Sequence, residues 1–90
     1  MQLQQNGQVC CATYRAGEIE IKATLLVAEQ GAQQQFSIVL EHEGERAFCE
    51  IGTQALLAKK VFFDVVFGGV TACTLSDVVE DILADACLQA

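Results

Sequence analysis

The side chains most capable of chemistry in this 90-residue sequence are one histidine and five cysteines. His42 stands in the run Glu41-His42-Glu43-Gly44-Glu45, which offers an imidazole and carboxylate oxygens of the kind that bind a divalent metal. Those carboxylates alternate in direction along a strand and diverge at a turn, so without ligands from elsewhere the run reads as a solvated turn. The cysteines, Cys10, Cys11, Cys49, Cys73 and Cys87, form an odd set with no C-x-x-C pair. In a reducing compartment they serve as small hydrophobes with free thiols. Adjacent Cys10 and Cys11 point to opposite faces of a strand, which keeps both out of one tetrahedral zinc site. The expectation is Cys10 and Cys49 buried, Cys11 exposed, and no metal or other cofactor. Cys11 has no basic neighbour in sequence to lower its pKa.

Catalytic motifs are missing as well. The sequence has no nucleophile elbow, no phosphate-cradling G-x-x-x-x-G-K-[ST] and no dinucleotide fingerprint, and its histidine sits beside carboxylates rather than a nucleophile. The reading is non-enzymatic, with no catalytic residue assigned.

The elements that position these side chains follow from periodicity. From Glu18 to Glu29 the chain alternates, with Ile19, Ile21, Ala23, Leu25 and Val27 on one side and Glu18, Glu20, Lys22 and Thr24 on the other, as a half-buried strand requires. A turn at Ala16 and Gly17 pairs the preceding segment back on this strand, with Tyr14 opposite Ile19, Ala12 opposite Ile21, Cys10 opposite Ala23 and Arg15 facing Glu18. A second turn at Glu43 and Gly44 sets Leu40 opposite Ala47, Ile38 opposite Cys49, Phe36 opposite Ile51 and Glu41 against Arg46. A slip by one residue would mix the faces, so the hydrophobic pattern selects this register. A loop around Gly31 joins the hairpins and pairs Val27 with Phe36. Cys10 and Cys49 then share the apolar face on opposite edges, about 14 Å apart at a strand spacing of roughly 4.8 Å. That separation rules out a disulfide between them.

A one-sided sheet needs a cover, and the second half of the chain supplies it. Thr53 is placed to cap a helix running to about Phe67, stopped by Gly68 and Gly69. Residues 61–67 also suit a buried strand; Lys59, Lys60 and the lack of alternation favour helix. Thr74 and Asp77 approximate a capping box for a last helix whose apolar stripe is Leu75, Val78, Val79, Ile82, Leu83 and Ala86. The fold class is α+β: a four-stranded antiparallel meander followed by two helices on one face, ββββαα. Residues 1–8 are expected as a flexible tail and 9–90 as a single domain.

Residues 74–83, TLSDVVEDIL, resemble the closing signature of a family of short uncharacterised clostridial-type bacterial proteins that end in a D-V-V-E-D-[FI]-L helix. Asp77, Val78, Val79, Glu80, Asp81, Ile82 and Leu83 match it directly, and the likeness extends more loosely back to about Ala47. Cys73 and Ser76 stand where the family commonly has a proline in the connector and an aromatic residue. The resemblance implies the order of strands and helices and carries no activity.

Composition narrows the partners. Twelve acidic against five basic residues give a net charge of −7, which repels phosphate backbones and anionic lipid, so neither nucleic acid nor membrane is expected as a partner. No secretory signal or spanning stretch is read, and the expected location is cytoplasmic. Hydrophobic residues make up 52% of so short a chain, more than one small core absorbs, so some must lie on the surface. On the outer sheet face these are Leu26, Val39 and Phe48; on the first helix, Leu56, Phe63 and Phe67 follow at i, i+7 and i+11. On the last helix Asp77, Glu80, Asp81 and Asp85 form an acidic face suited to a basic partner. The expected function is a small protein-interaction module that self-associates as a two-fold homodimer, with an unidentified protein partner besides. The competing class is a thiol- or metal-binding regulator using Cys11, Cys73, Cys87 or the His42 turn.

Overall fold

In a computed structural model the chain forms β1 (Asn6–Ala16), β2 (Ile19–Gln30), β3 (Gln33–His42), β4 (Glu45–Gly52), α1 (Ala55–Gly68) and α2 (Leu75–Leu88). The structure describes residues 6–88, and for residues 6, 30 and 86–88 the backbone only. The strands make one antiparallel sheet in the order β1-β2-β3-β4, and both helices pack on one face, the expected ββββαα arrangement. β1 begins at Asn6, so residues 6–8 of the expected tail are strand; residues 1–5 lie outside the described residues.

The period of two in each strand becomes rows that cross the sheet. On the helix side, Cys10, Leu25, Ile38 and Cys49 make one row and Ala12, Ala23, Leu40 and Ala47 the next. Val27 pairs with Phe36 as expected, and the β3–β4 register holds from His42 to Ser37. Beyond Ser37 a bulge intervenes, so Phe36 faces Gly52 and not Ile51. The first hairpin also differs from expectation, by two residues. Gly17 and Glu18 form its turn, with Gly17 at φ 67, so glycine occupies the first central position, where a tight hairpin needs a positive φ. Tyr14 therefore faces Ile21, Ala12 faces Ala23, Cys10 faces Leu25 and Arg15 faces Glu20. A shift of two preserves the faces, so the same side chains still point inward.

Residues 61–67 are helical. In α1 Ala58, Val61, Phe62 and Val65 are buried at the spacing of one helix face. Its N-cap is Gln54, with no side-chain capping bond, because β4 continues to Gly52 and leaves Thr53 in the connection; the expected Thr53 cap is not formed. Gly69, at φ 64, closes the C-terminus in a Schellman arrangement: its N–H donates to Val66 O and that of Val70 donates to Val65 O at 3.2 Å. The Thr74 hydroxyl turns back to Thr71, 3.3 Å from that hydroxyl and 3.4 Å from its carbonyl oxygen, rather than forward into the first turn of α2. The stripe of α2 faces inward as expected from Leu75 to Leu83, with Leu75 and Val79 buried and Val78, Ile82 and Leu83 packed against the core; the side chain of Ala86 lies outside the described residues.

Coverage of the sheet is uneven. Among the described residues α1 packs against all four strands, whereas α2 packs against β4 and α1 alone. Ile21, Ala23, Leu25, Ile38 and Leu40 in the middle strands are fully buried, while Cys10, Ala12, Tyr14 and Ala16 on β1 are half-buried. Cys10 and Cys49, expected buried, are half-buried because each sits on an edge strand.

Candidate functional site

Among the described residues, apart from Val9 at the β1 irregularity, the large apolar side chains left exposed fall in two places. On the open sheet face, one row runs Cys11, Thr24, Val39, Phe48 and the next runs Gln8, Leu26, Ser37, Glu50. Phe48 stands opposite Val39 as expected and is 61% exposed. Val39 is only 4% exposed, because its row neighbours Thr24 and Phe48 flank it on both sides. It therefore supports Phe48 and presents no area of its own, and Leu26 is half-buried. A groove of about 250 Å³ runs beside Phe48, lined by Leu26, Ala28, Ser37 and Glu50.

The second place is the solvent side of α1. Its buried stripe uses one face, yet the opposite side carries Leu56 at 83%, Phe63 at 49% and Phe67 at 82% exposure. The Phe63 and Phe67 rings stack with centroids 6.1 Å apart and 24° between planes, and Phe63 meets the buried Phe62 edge-on at 5.9 Å. Stacking presents the two outer rings as one surface. Lys59 and Lys60 are exposed on the same helix, with Lys60 Nζ 3.0 Å from Asp64. On α2, Asp77, Glu80, Asp81 and Asp85 are all exposed, so the helix layer carries a basic and apolar helix beside an acidic one.

The residues with chemical potential are dispersed. His42 lies on the helix side of the sheet, not in a solvated turn: its Nε2 is 3.5 Å from Glu45 Oε1 and its buried Nδ1 has no hydrogen-bond partner. Glu43 takes a φ of 45, and the turn it forms with Gly44 borders an open hollow of about 350 Å³ lined by Thr13, Lys22, Glu41, His42 and Arg46. Arg46 Nε lies 3.4 Å from Glu41 Oε2, the expected cross-strand pair. Among the described residues no group of three His, Cys, Asp or Glu side chains converges as metal ligands.

Cys11 is exposed, as expected, and accepts a hydrogen bond from the Thr24 hydroxyl at 3.9 Å. Cys73 is exposed, and the side chain of Cys87 lies outside the described residues. Burial, then the charges of Glu80 and Glu50, push the Cys49 thiol up, which disfavours the reactive thiolate. Burial likewise raises the Tyr14 hydroxyl, which donates to Val70 O at 2.5 Å and ties β1 to the connection between the helices. Sequence reading missed that contact, and nothing local to either residue signals it.

Among the described residues no helix is long and apolar enough to cross a membrane. Comparison with family models, with curated proteins and with solved structures finds no match to this chain.

Proposed function

We propose that this chain is a non-enzymatic protein-interaction module that self-associates two-fold through the outer flank of α1. The observation that carries the reading is the exposed Leu56, Phe63 and Phe67 surface on a helix whose opposite face already fills the core. Burying one such side chain is worth about 1.5–3 kcal/mol, so three facing water together favour association. A second copy suits the surface because the helix layer is self-complementary in charge. Lys59 and Lys60 border the phenylalanines, and Asp77, Glu80 and Asp81 on α2 supply the opposite sign. A patch meeting its own copy about a two-fold axis is the simplest closed arrangement. The acidic face of α2 also offers a place for a separate basic partner, and Phe48 with its groove is a secondary contact. The family resemblance of residues 74–83 is compatible with this reading and adds no chemistry to it.

The test replaces Phe63 and Phe67 together by Glu and measures mass by light scattering at micromolar concentration. The expected result is a mass half that of the unmodified assembly, with helix and strand content unchanged. An assembly whose mass is unchanged by the replacement would show that the α1 flank is not the contact.

A further inference from the structure

We infer that the free edge of β1 is a strand-addition seam that takes β1 of a second copy, antiparallel, to form one continuous sheet. Among the described elements β1 pairs with β2 alone. The two residues flanking a two-residue turn form a hydrogen-bonded pair, so Ala16, Tyr14 and Ala12 direct their N–H and C=O groups at β2. The intervening Arg15, Thr13 and Cys11 direct theirs outward, where an added strand would meet them.

Such an edge templates pairing unless it is short, charged, proline-bearing, strongly bulged or covered. β1 is 11 residues long and has neither a charge nor a proline from Asn6 to Tyr14. Its irregularity, between Gln8 and Cys10, lies toward one end, and α2 does not reach it. A bulge there leaves the stretch from Cys10 to Ala16 regular.

The occupant follows from charge and parity. In a chain of net charge −7, β1 carries a single charge, the positive Arg15, so two copies meeting along β1 approach where mutual repulsion is least. A two-fold axis normal to the sheet pairs residues of equal parity, which keeps Cys10, Ala12, Tyr14 and Ala16 of both copies on the helix side. These are the residues that one copy leaves half-buried, so the seam would complete their burial as well as pair the backbone. The seam uses a different surface from the α1 flank, and the two can fail separately.

The experiment uses the Phe63→Glu, Phe67→Glu chain, in which the α1 contact is removed, and combines light scattering with residue-resolved amide exchange. The seam predicts twice the mass of one chain and slowed exchange at Cys11, Thr13 and Arg15, lost together on dilution. Adding Thr13→Pro, which deletes an outward N–H that a solvent-facing edge can spare, should give a folded monomer. A monomer whose three outward amides already exchange freely before the proline is added would overturn the seam and leave the α1 reading standing. A dimer with freely exchanging outward amides would overturn it by placing the contact elsewhere. Protection that appears only on adding an unrelated extended peptide would assign the edge to a foreign strand, against a second copy. The exchange measurement stands even if the proline variant fails to fold.

Discussion

The two edges of this sheet are built differently. β4 spends Glu45, Arg46 and Glu50 within its 8 residues, and α2 packs against it. β1 is longer, carries Arg15 as its sole charge and lies beyond the reach of α2. By the same parity that aims Cys11, Thr13 and Arg15 outward on β1, β4 presents Arg46, Phe48 and Glu50 at its rim. An added strand at β4 would meet charges on both sides of an exposed phenylalanine; at β1 it would meet the small, uncharged Cys11 and Thr13, with Arg15 as the one charge at the turn end. Protection against pairing is thus concentrated on one edge, and the unprotected edge is the one whose inward side chains remain half-buried.

The largest effect that sharpens this contrast compares the middle of a row with its end. Leu25→Ala empties a fully buried site and is expected to cost about 2–5 kcal/mol in urea denaturation. Cys10→Ala, in the same row on β1, should cost less than about 1 kcal/mol in the monomer, because the site is half open. Equal costs would mean that β1 is covered as fully as the centre.

Much of this was legible in the sequence, and the misses have local causes. The alternation of Ile19 to Val27 gives β2 and its inward face directly, and the pairing of Leu40 with Ala47 and Ile38 with Cys49 follows from face matching around Gly44. Face matching cannot distinguish registers two residues apart, which is why it pairs Tyr14 with Ile19 in place of Ile21. The bulge that moves Phe36 to Gly52 has no apolar signature. Thr53 has the chemistry of a cap but lies in the connection after β4. The apolar flank of α1 was readable because Leu56, Phe63 and Phe67 repeat on a helix that is also apolar on its other face. Burial of Val39 was not, since it depends on the neighbours across two strands.

A middling effect probes the tie on the β1 side. Tyr14→Phe removes the hydrogen bond to Val70 O and should cost about 0.5–1.5 kcal/mol, read as a lowered urea midpoint at neutral pH. A neutral result would show that this hydrogen bond adds nothing to the pairing with β2 and the packing against α1 that hold β1.

The smallest effect belongs to the β4 side and depends on pH. The Cys49 thiol is raised in the folded chain above its ordinary value of 9.0, so the unfolded chain ionises first. The stability linked to the neutral thiol is present below pH 9.0 and is lost as pH rises through the folded pKa. Tyr14, raised above 10.0, adds a loss of the same sign at still higher pH. In reductant, the urea midpoint should decline above pH 9.0, and Cys49→Ala should decline less steeply. Parallel slopes for the two proteins would mean that Cys49 is not the group responsible.

Self-association is the claim on which the functional reading rests, and the mass of the unmodified, reduced chain in solution tests it most directly. Sedimentation equilibrium across micromolar concentrations should give an even multiple of the 9.7 kDa chain mass that falls on dilution. A constant 9.7 kDa throughout that range would contradict the account, because the stacked rings of α1 and the open edge of β1 would then both face water with nothing to meet them.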